Sequence, residues 1–147
     1  MTGIRLRTQE SSTINYDASV ADALYVSTKY YSYYGDVYGR VITGYKYIAL
    51  PYELFYWLLE KLGTSLSNYE WDSDYKYVFN CNEIDNLPTI DLLLGDYWIE
   101  VLVSDYIDNP GTGTCSFNFR ASYDYEVAIL GSAFMKNYYI VHDMDNM

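Results

Sequence analysis

Apolar and polar positions along the chain change period several times, and each change marks an element. Ile4 and Leu6 alternate with Arg5 and Arg7, the two-residue period of a short strand with one face toward a core. A polar loop over residues 9–13 follows. Residues 23–34 are rich in β-branched and aromatic types, Gly35 and Asp36 offer a turn, and residues 37–42 return, which predicts a β-hairpin. At Pro51 the spacing becomes three and four: Leu54, Leu58 and Leu62, with Phe55 and Leu59, line one face of a helix. Proline suits the first turn, where its missing N–H has no partner to lose. Glu53 and Lys61 stand at the ends that the helix dipole favours for their charges. Gly63 reads as the stop, in a left-handed conformation.

A polar stretch over residues 64–74 separates this helix from a series of short strands. Residues 75–81 are the first, and 82–88 a turn-rich connection. Residues 89–94 and 97–103 flank Gly95-Asp96 as a tight hairpin. Asn109-Pro110-Gly111-Thr112-Gly113 is a loop. Residues 115–121 make a strand, 127–130 an apolar strand ending at Gly131, 132–137 a helical turn, and 138–142 a last strand. Many short strands with two short helices predict one mostly-β domain over residues 1–147.

Composition narrows the function. Half of the 147 residues are hydrophobic, enough for a sizeable core. A net charge of −11 repels phosphate backbones and argues against nucleic-acid binding. No apolar run is long enough to span a membrane as a helix. The start lacks the apolar core of a signal peptide, as expected of a mature fragment, a processed form or a non-secreted protein. Twenty tyrosines fit both a strand-rich chain and one enriched in interface residues.

The usual catalytic groupings are missing. His142 is the only histidine and reads as an ordinary strand residue. Asp72/Asp74 and Asp143/Asp145 lack the glycine and distal glutamate of an EF-hand and read as solvated acidic loops. There is no Ser-His-Asp grouping, phosphate-cradling loop or Cys-x-x-Cys, and no cofactor or metal is called for. Two cysteines alone mean two buried thiols or one bridge.

Three segments carry a resemblance. Val41-Ile42-Thr43-Gly44-Tyr45 lies between two apolar strands ahead of the Pro51 helix. Cys81 is followed by Leu87-Pro88 and a strand, with Cys115 further on. Ile129-Leu130-Gly131-Ser132-Ala133-Phe134-Met135-Lys136-Asn137-Tyr138-Tyr139-Ile140-Val141-His142-Asp143 closes the series and is the most specific of the three. In this order they resemble the C-terminal lobe of pepsin-like aspartic peptidases from about residue 20 onward, with residues 1–19 matched only weakly.

The resemblance implies a single lobe of the pepsin-like double-ψ acid-protease β-barrel. It implies a Cys81–Cys115 disulfide, and with it a secretory or endolysosomal lumen. It implies that Ile129, Leu130 and Gly131 support the loop at Thr43-Gly44. It also sets Ile42 where the catalytic Asp belongs, Tyr45 where a small hydroxyl residue belongs, and Ser132 where Asp is usual.

Aspartic peptidases need two carboxylates sharing a proton and a water. This lobe offers none at the expected place, and Asp36, six residues before Ile42, falls at the far end of the expected hairpin. The degenerate site is thus Ile42, Thr43, Gly44 and Tyr45, and the chain reads as a catalytically inactive lobe docked to other protein. The partner would be an N-terminal peptidase-like lobe, a second copy or a larger assembly. Ile4, Leu6, Tyr30, Tyr31, Tyr33, Tyr34 and Tyr47 are the interface residues this reading expects. The alternative is the C-terminal half of a two-lobe endopeptidase whose active lobe is elsewhere.

Overall fold

The computed structural model describes residues 3–7, 25–26, 37–72, 76–95, 97–124 and 127–142, with only the backbone described at 25–26. Among the described residues the strands form three four-stranded sheets, so the chain is mostly β, but these sheets do not close into the expected barrel. The first sheet has the order β2-β1-β7-β8, from β1 (Gly3–Arg7), β2 (Tyr25–Val26), β7 (Thr89–Leu94) and β8 (Tyr97–Val101). The second runs β5-β6-β10-β9, from β5 (Tyr69–Trp71), β6 (Tyr77–Asn80), β9 (Ile107–Asp108) and β10 (Thr114–Phe117). The third runs β11-β4-β12-β3, from β3 (Tyr38–Val41), β4 (Ile48–Pro51), β11 (Phe119–Ser122) and β12 (Val127–Leu130).

The third sheet positions the site. β3 and β4 are consecutive strands, yet they do not pair. β12 lies between them, parallel to β3 and antiparallel to β4. The loop that joins β3 to β4 must therefore cross the C-terminal end of β12. Most of the expected hairpin between residues 23–34 and 37–42 lies outside the described residues; of its described parts, β2 pairs with β1, and β3 with β12. Alternation shows that a strand exists; it does not show which distant strand completes its hydrogen bonds.

Helix α1 spans Tyr52–Gly63 and buries Leu54, Phe55, Leu58, Leu59 and Leu62, the stripe its spacing predicts. It packs on Phe117 and Phe119. Pro51 ends β4 with φ −46° and ψ 144° and caps the helix rather than opening its first turn. Gly63 is not left-handed, and the helix ends in αR geometry at Thr64. The glycine answers to space instead: a Cβ there would lie 2.5 Å from the Tyr69 ring.

Residues 115–121 are two strands, not one. Asn118 sends its N–H to the Tyr106 carbonyl at 2.7 Å and offers its carbonyl to Ile48 N–H at 2.9 Å, so the chain passes there from the second sheet to the third. β5 lies in the stretch read as a polar separator, because its three residues are all exposed. Residues 138–142 are not a strand. Among the described residues three short helical elements join α1: a 3-10 turn over Cys81–Asn86, α2 (Val103–Tyr106) and α3 (Ser132–Met135). The hairpin over residues 89–101 and the glycine loop form as expected, with Gly95, Gly111 and Gly113 at φ of 61°, 80° and 87°. One apolar cluster unites the sheets, including Ile4 and Leu92, Phe79 and Phe117, and Ile48 and Leu130.

Candidate functional site

The loop over residues 42–47 rests on the end of β12 and the start of α3. Ile42 N–H donates to the Leu130 carbonyl at 3.2 Å, and Gly131 N–H to the Tyr47 carbonyl at 3.1 Å. Ser132 N–H donates to the Tyr45 carbonyl at 2.7 Å and Ala133 N–H to the Lys46 carbonyl at 3.0 Å. A helix start leaves N–H groups without intrahelical partners. Here the loop carbonyls take them, so one set of bonds caps α3 and fixes the loop.

Gly131 is what allows this approach. A Cβ on it would lie 2.3 Å from the Tyr45 carbonyl oxygen and 2.4 Å from that of Tyr47, closer than any side-chain carbon comes. Ile42 is half-buried, while Thr43 and Gly44 are exposed at the tip. Ile129 pairs with Arg40 on one side and Ala49 on the other, and Leu130 with Val41 and Ile48. Leu130 and Gly131 thus bond Ile42 and Tyr47 of the loop, while Ile129 pairs with Arg40 and Ala49 in the strands that flank it.

Neighbouring side chains hold the loop's aromatic end. Tyr45 and Tyr47 meet edge to face at 5.7 Å between centroids. The Arg120 guanidinium lies 4.0 Å from the Tyr47 ring centre and donates to the Phe117 and Phe119 carbonyls. Burial pushes the Tyr45 phenol up, with Arg120 pulling the other way. Lys46 Nζ bonds Asp108 Oδ2 at 2.7 Å, and this contact holds the Asp108 carboxyl below its ordinary value. Sequence reasoning missed Arg120 and Asp108, since neither lies near the loop along the chain.

Other expected residues lie elsewhere. Ile4 is completely buried, so its side chain serves the core, and Leu6 is half-buried against it. Tyr30, Tyr31, Tyr33, Tyr34 and Asp36 lie outside the described residues, as do Asp74, Asp143 and Asp145. His142 is exposed. Cys81 and Cys115 are bonded, with Cα atoms 5.1 Å apart. Among the described residues no three or more His, Cys, Asp or Glu side chains gather as a metal site, and no helix is long and apolar enough to cross a membrane.

A second polar arrangement lies on the first sheet. Arg5, Asp91 and Glu100 stand side by side across β1, β7 and β8. Arg5 Nε and Arg7 Nε both reach Asp91 Oδ2 at 2.6 Å, and Arg7 also bonds Glu100. Hydrogen bonding to Asp91 raises the Arg7 pKa further. Arg5 lies over the Trp98 ring at 4.4 Å. The Arg5–Arg7 face of β1 thus carries an ion cluster centred on the buried Asp91.

Among the described residues one cavity lies on the second sheet and another beside the ion cluster of the first. One of about 370 Å³ is lined by residues including Glu70, Asn80 and Glu83. The other, about 290 Å³, is lined by residues including Asp91, Trp98 and Tyr138. Neither is lined by any residue of the 42–47 loop.

A family model described as eukaryotic aspartyl protease matches residues 6–147. The chain is 29% identical to gastricsin from Macaca fuscata fuscata over 111 residues, 72% of this chain and 28% of that protein. It is 33% identical to renin from Echis ocellatus over 110 residues, covering 71% of this chain and 26% of the relative. With aspartic proteinase yapsin-3 from Saccharomyces cerevisiae it shares 31% over 70 residues, 48% of this chain and 14% of that protein. The chain thus spans little more than a quarter of the length of these relatives at most.

Proposed function

Because this chain belongs to the eukaryotic aspartyl protease family, matched over residues 6–147, we propose that it is a lobe that keeps the family's loop architecture without its carboxylate and works by binding other protein. The observation that carries this reading is residue 42. The loop is pinned by backbone bonds from Leu130, Gly131, Ser132 and Ala133, and the side chain at its head is a branched alkane. An isoleucine can neither hold nor move a proton, so water activation by general base catalysis has no agent there. A carboxylate at a half-buried site costs desolvation, and Ile42 removes that cost while filling the volume.

The alternative has its own support: the chain covers 28% of gastricsin and 26% of renin, leaving most of each relative's length unmatched. On that reading the chain is the C-terminal half of a two-lobe endopeptidase. A peptide with a tetrahedral hydroxyl in place of the scissile carbonyl separates the two. Titrated calorimetrically into the chain mixed with an N-terminal aspartic peptidase lobe, it gives no saturable heat if the site is dead. Saturable binding abolished by substituting Thr43 and Gly44 supports the two-lobe enzyme.

A further inference from the structure

An aromatic surface lies on α1 and β5. Tyr52 and Tyr56 sit one turn apart on the outer face of the helix, with ring centres 4.5 Å apart. Trp71 meets Tyr77 at 4.4 Å, and Tyr69 meets the same ring at 5.9 Å. Phe55 joins the two groups, 5.1 Å from Tyr56 and 6.2 Å from Tyr77. These contacts hold the rings in place, yet Tyr52 is 53% and Trp71 50% exposed. Large rings fixed before binding lose little entropy when a ligand arrives.

Charge selects the ligand. The two elements carry Glu53, Glu60 and Glu70, all exposed, against the single ammonium of Lys61. The whole chain stands at −11. The electron-rich faces of Trp and Tyr attract cations, guanidinium more often than ammonium. This chain uses that contact internally, with Arg120 over Tyr47 and Arg5 over Trp98.

We infer that the surface of Tyr52, Tyr56, Tyr69 and Trp71 docks an arginine-bearing segment of a partner protein, its guanidinium groups stacked on the rings and its remaining charge facing Glu53 and Glu60. This deepens the binding-lobe reading by assigning a surface and a partner chemistry. The inference is tested apart from the dead site, because it does not depend on residue 42.

The probe is an eight-residue peptide alternating Arg and Ser, titrated into the full chain while indole fluorescence and heat are followed. Control peptides replace Arg by Lys or by Glu. The expected result is saturable binding of the Arg peptide, about threefold tighter than the Lys peptide, and none of the Glu peptide. Trp71→Ala and Tyr52→Ala each weaken the Arg peptide severalfold, and together about tenfold or more. Both side chains are exposed, so folding is checked by near-UV circular dichroism, and a Trp71→Phe variant that retains a ring recovers part of the affinity. Equal binding of Arg and Lys peptides, unaffected by either aromatic substitution, would show general attraction to an acidic protein and overturn the inference. Absence of saturable binding at low salt would overturn it too, while leaving the reading of residue 42 untouched.

Discussion

Gly131 shows how one residue can hold two elements together. Its hydrogen atom occupies space that a methyl group could enter only by displacing the carbonyls of Tyr45 and Tyr47. Gly131→Ala is therefore expected to destabilise by roughly 1–3 kcal/mol or more through overpacking, read as a lower urea midpoint with unchanged slope. The resemblance marks this glycine in the sequence, whereas Gly63 reads from the sequence as a left-handed helix stop and it is the Tyr69 ring that excludes a side chain there. A sequence shows that glycine is present; whether φ or space requires it depends on neighbours far along the chain. The same holds for Arg5 and Arg7. Alternation put them on an open face, whereas Asp91 and Trp98 enclose Arg5. Replacing Asp91 by Ala leaves Arg5 buried without its counter-charge, with an expected loss of about 3–5 kcal/mol in chemical denaturation.

At the level of elements, local signals are legible in the sequence and distant ones are not. The Leu54-Leu58-Leu62 stripe and the hairpin at Gly95 depend on neighbours a few residues away, and both formed as expected. The pairing of β3 with β12 joins Tyr38 to Val127, and no local pattern encodes it. The break at Asn118 was hidden because apolar residues flank it on both sides. The disulfide ties the 3-10 turn to β10 across a separation of 34 residues. Closing a loop of that size is worth roughly 3–4 kcal/mol in the chain-entropy model. Thermal unfolding with and without reductant should show that loss, and intact mass after alkylation should confirm that only the reduced protein takes label.

The Lys46–Asp108 contact links the loop to β9 and gives a pH signature. The ammonium lowers the folded-state pKa of Asp108, so its contribution is full above the unfolded carboxyl value of about 3.9 and is lost as pH falls through the lowered folded value. Both side chains are substantially exposed, so the effect on stability is small. Carboxyl-carbon NMR should show the Asp108 midpoint rising in Lys46→Ala, with other carboxyls unmoved.

For the whole molecule, the family fold and the chemistry separate. The loop, its crossing over β12 and the capping of α3 are backbone features, and they persist whatever side chain stands at residue 42. Proton transfer is a side-chain property, and Ile42 has none to offer. The most direct test is an acid-pH peptidase assay on an unfolded protein substrate, with the purified chain alone and with an active N-terminal aspartic peptidase lobe supplied in trans. The account predicts no cleavage attributable to this chain at any acidic pH in either case. Cleavage that follows the chain through repurification, and that disappears when one of its aspartates is replaced, would contradict it.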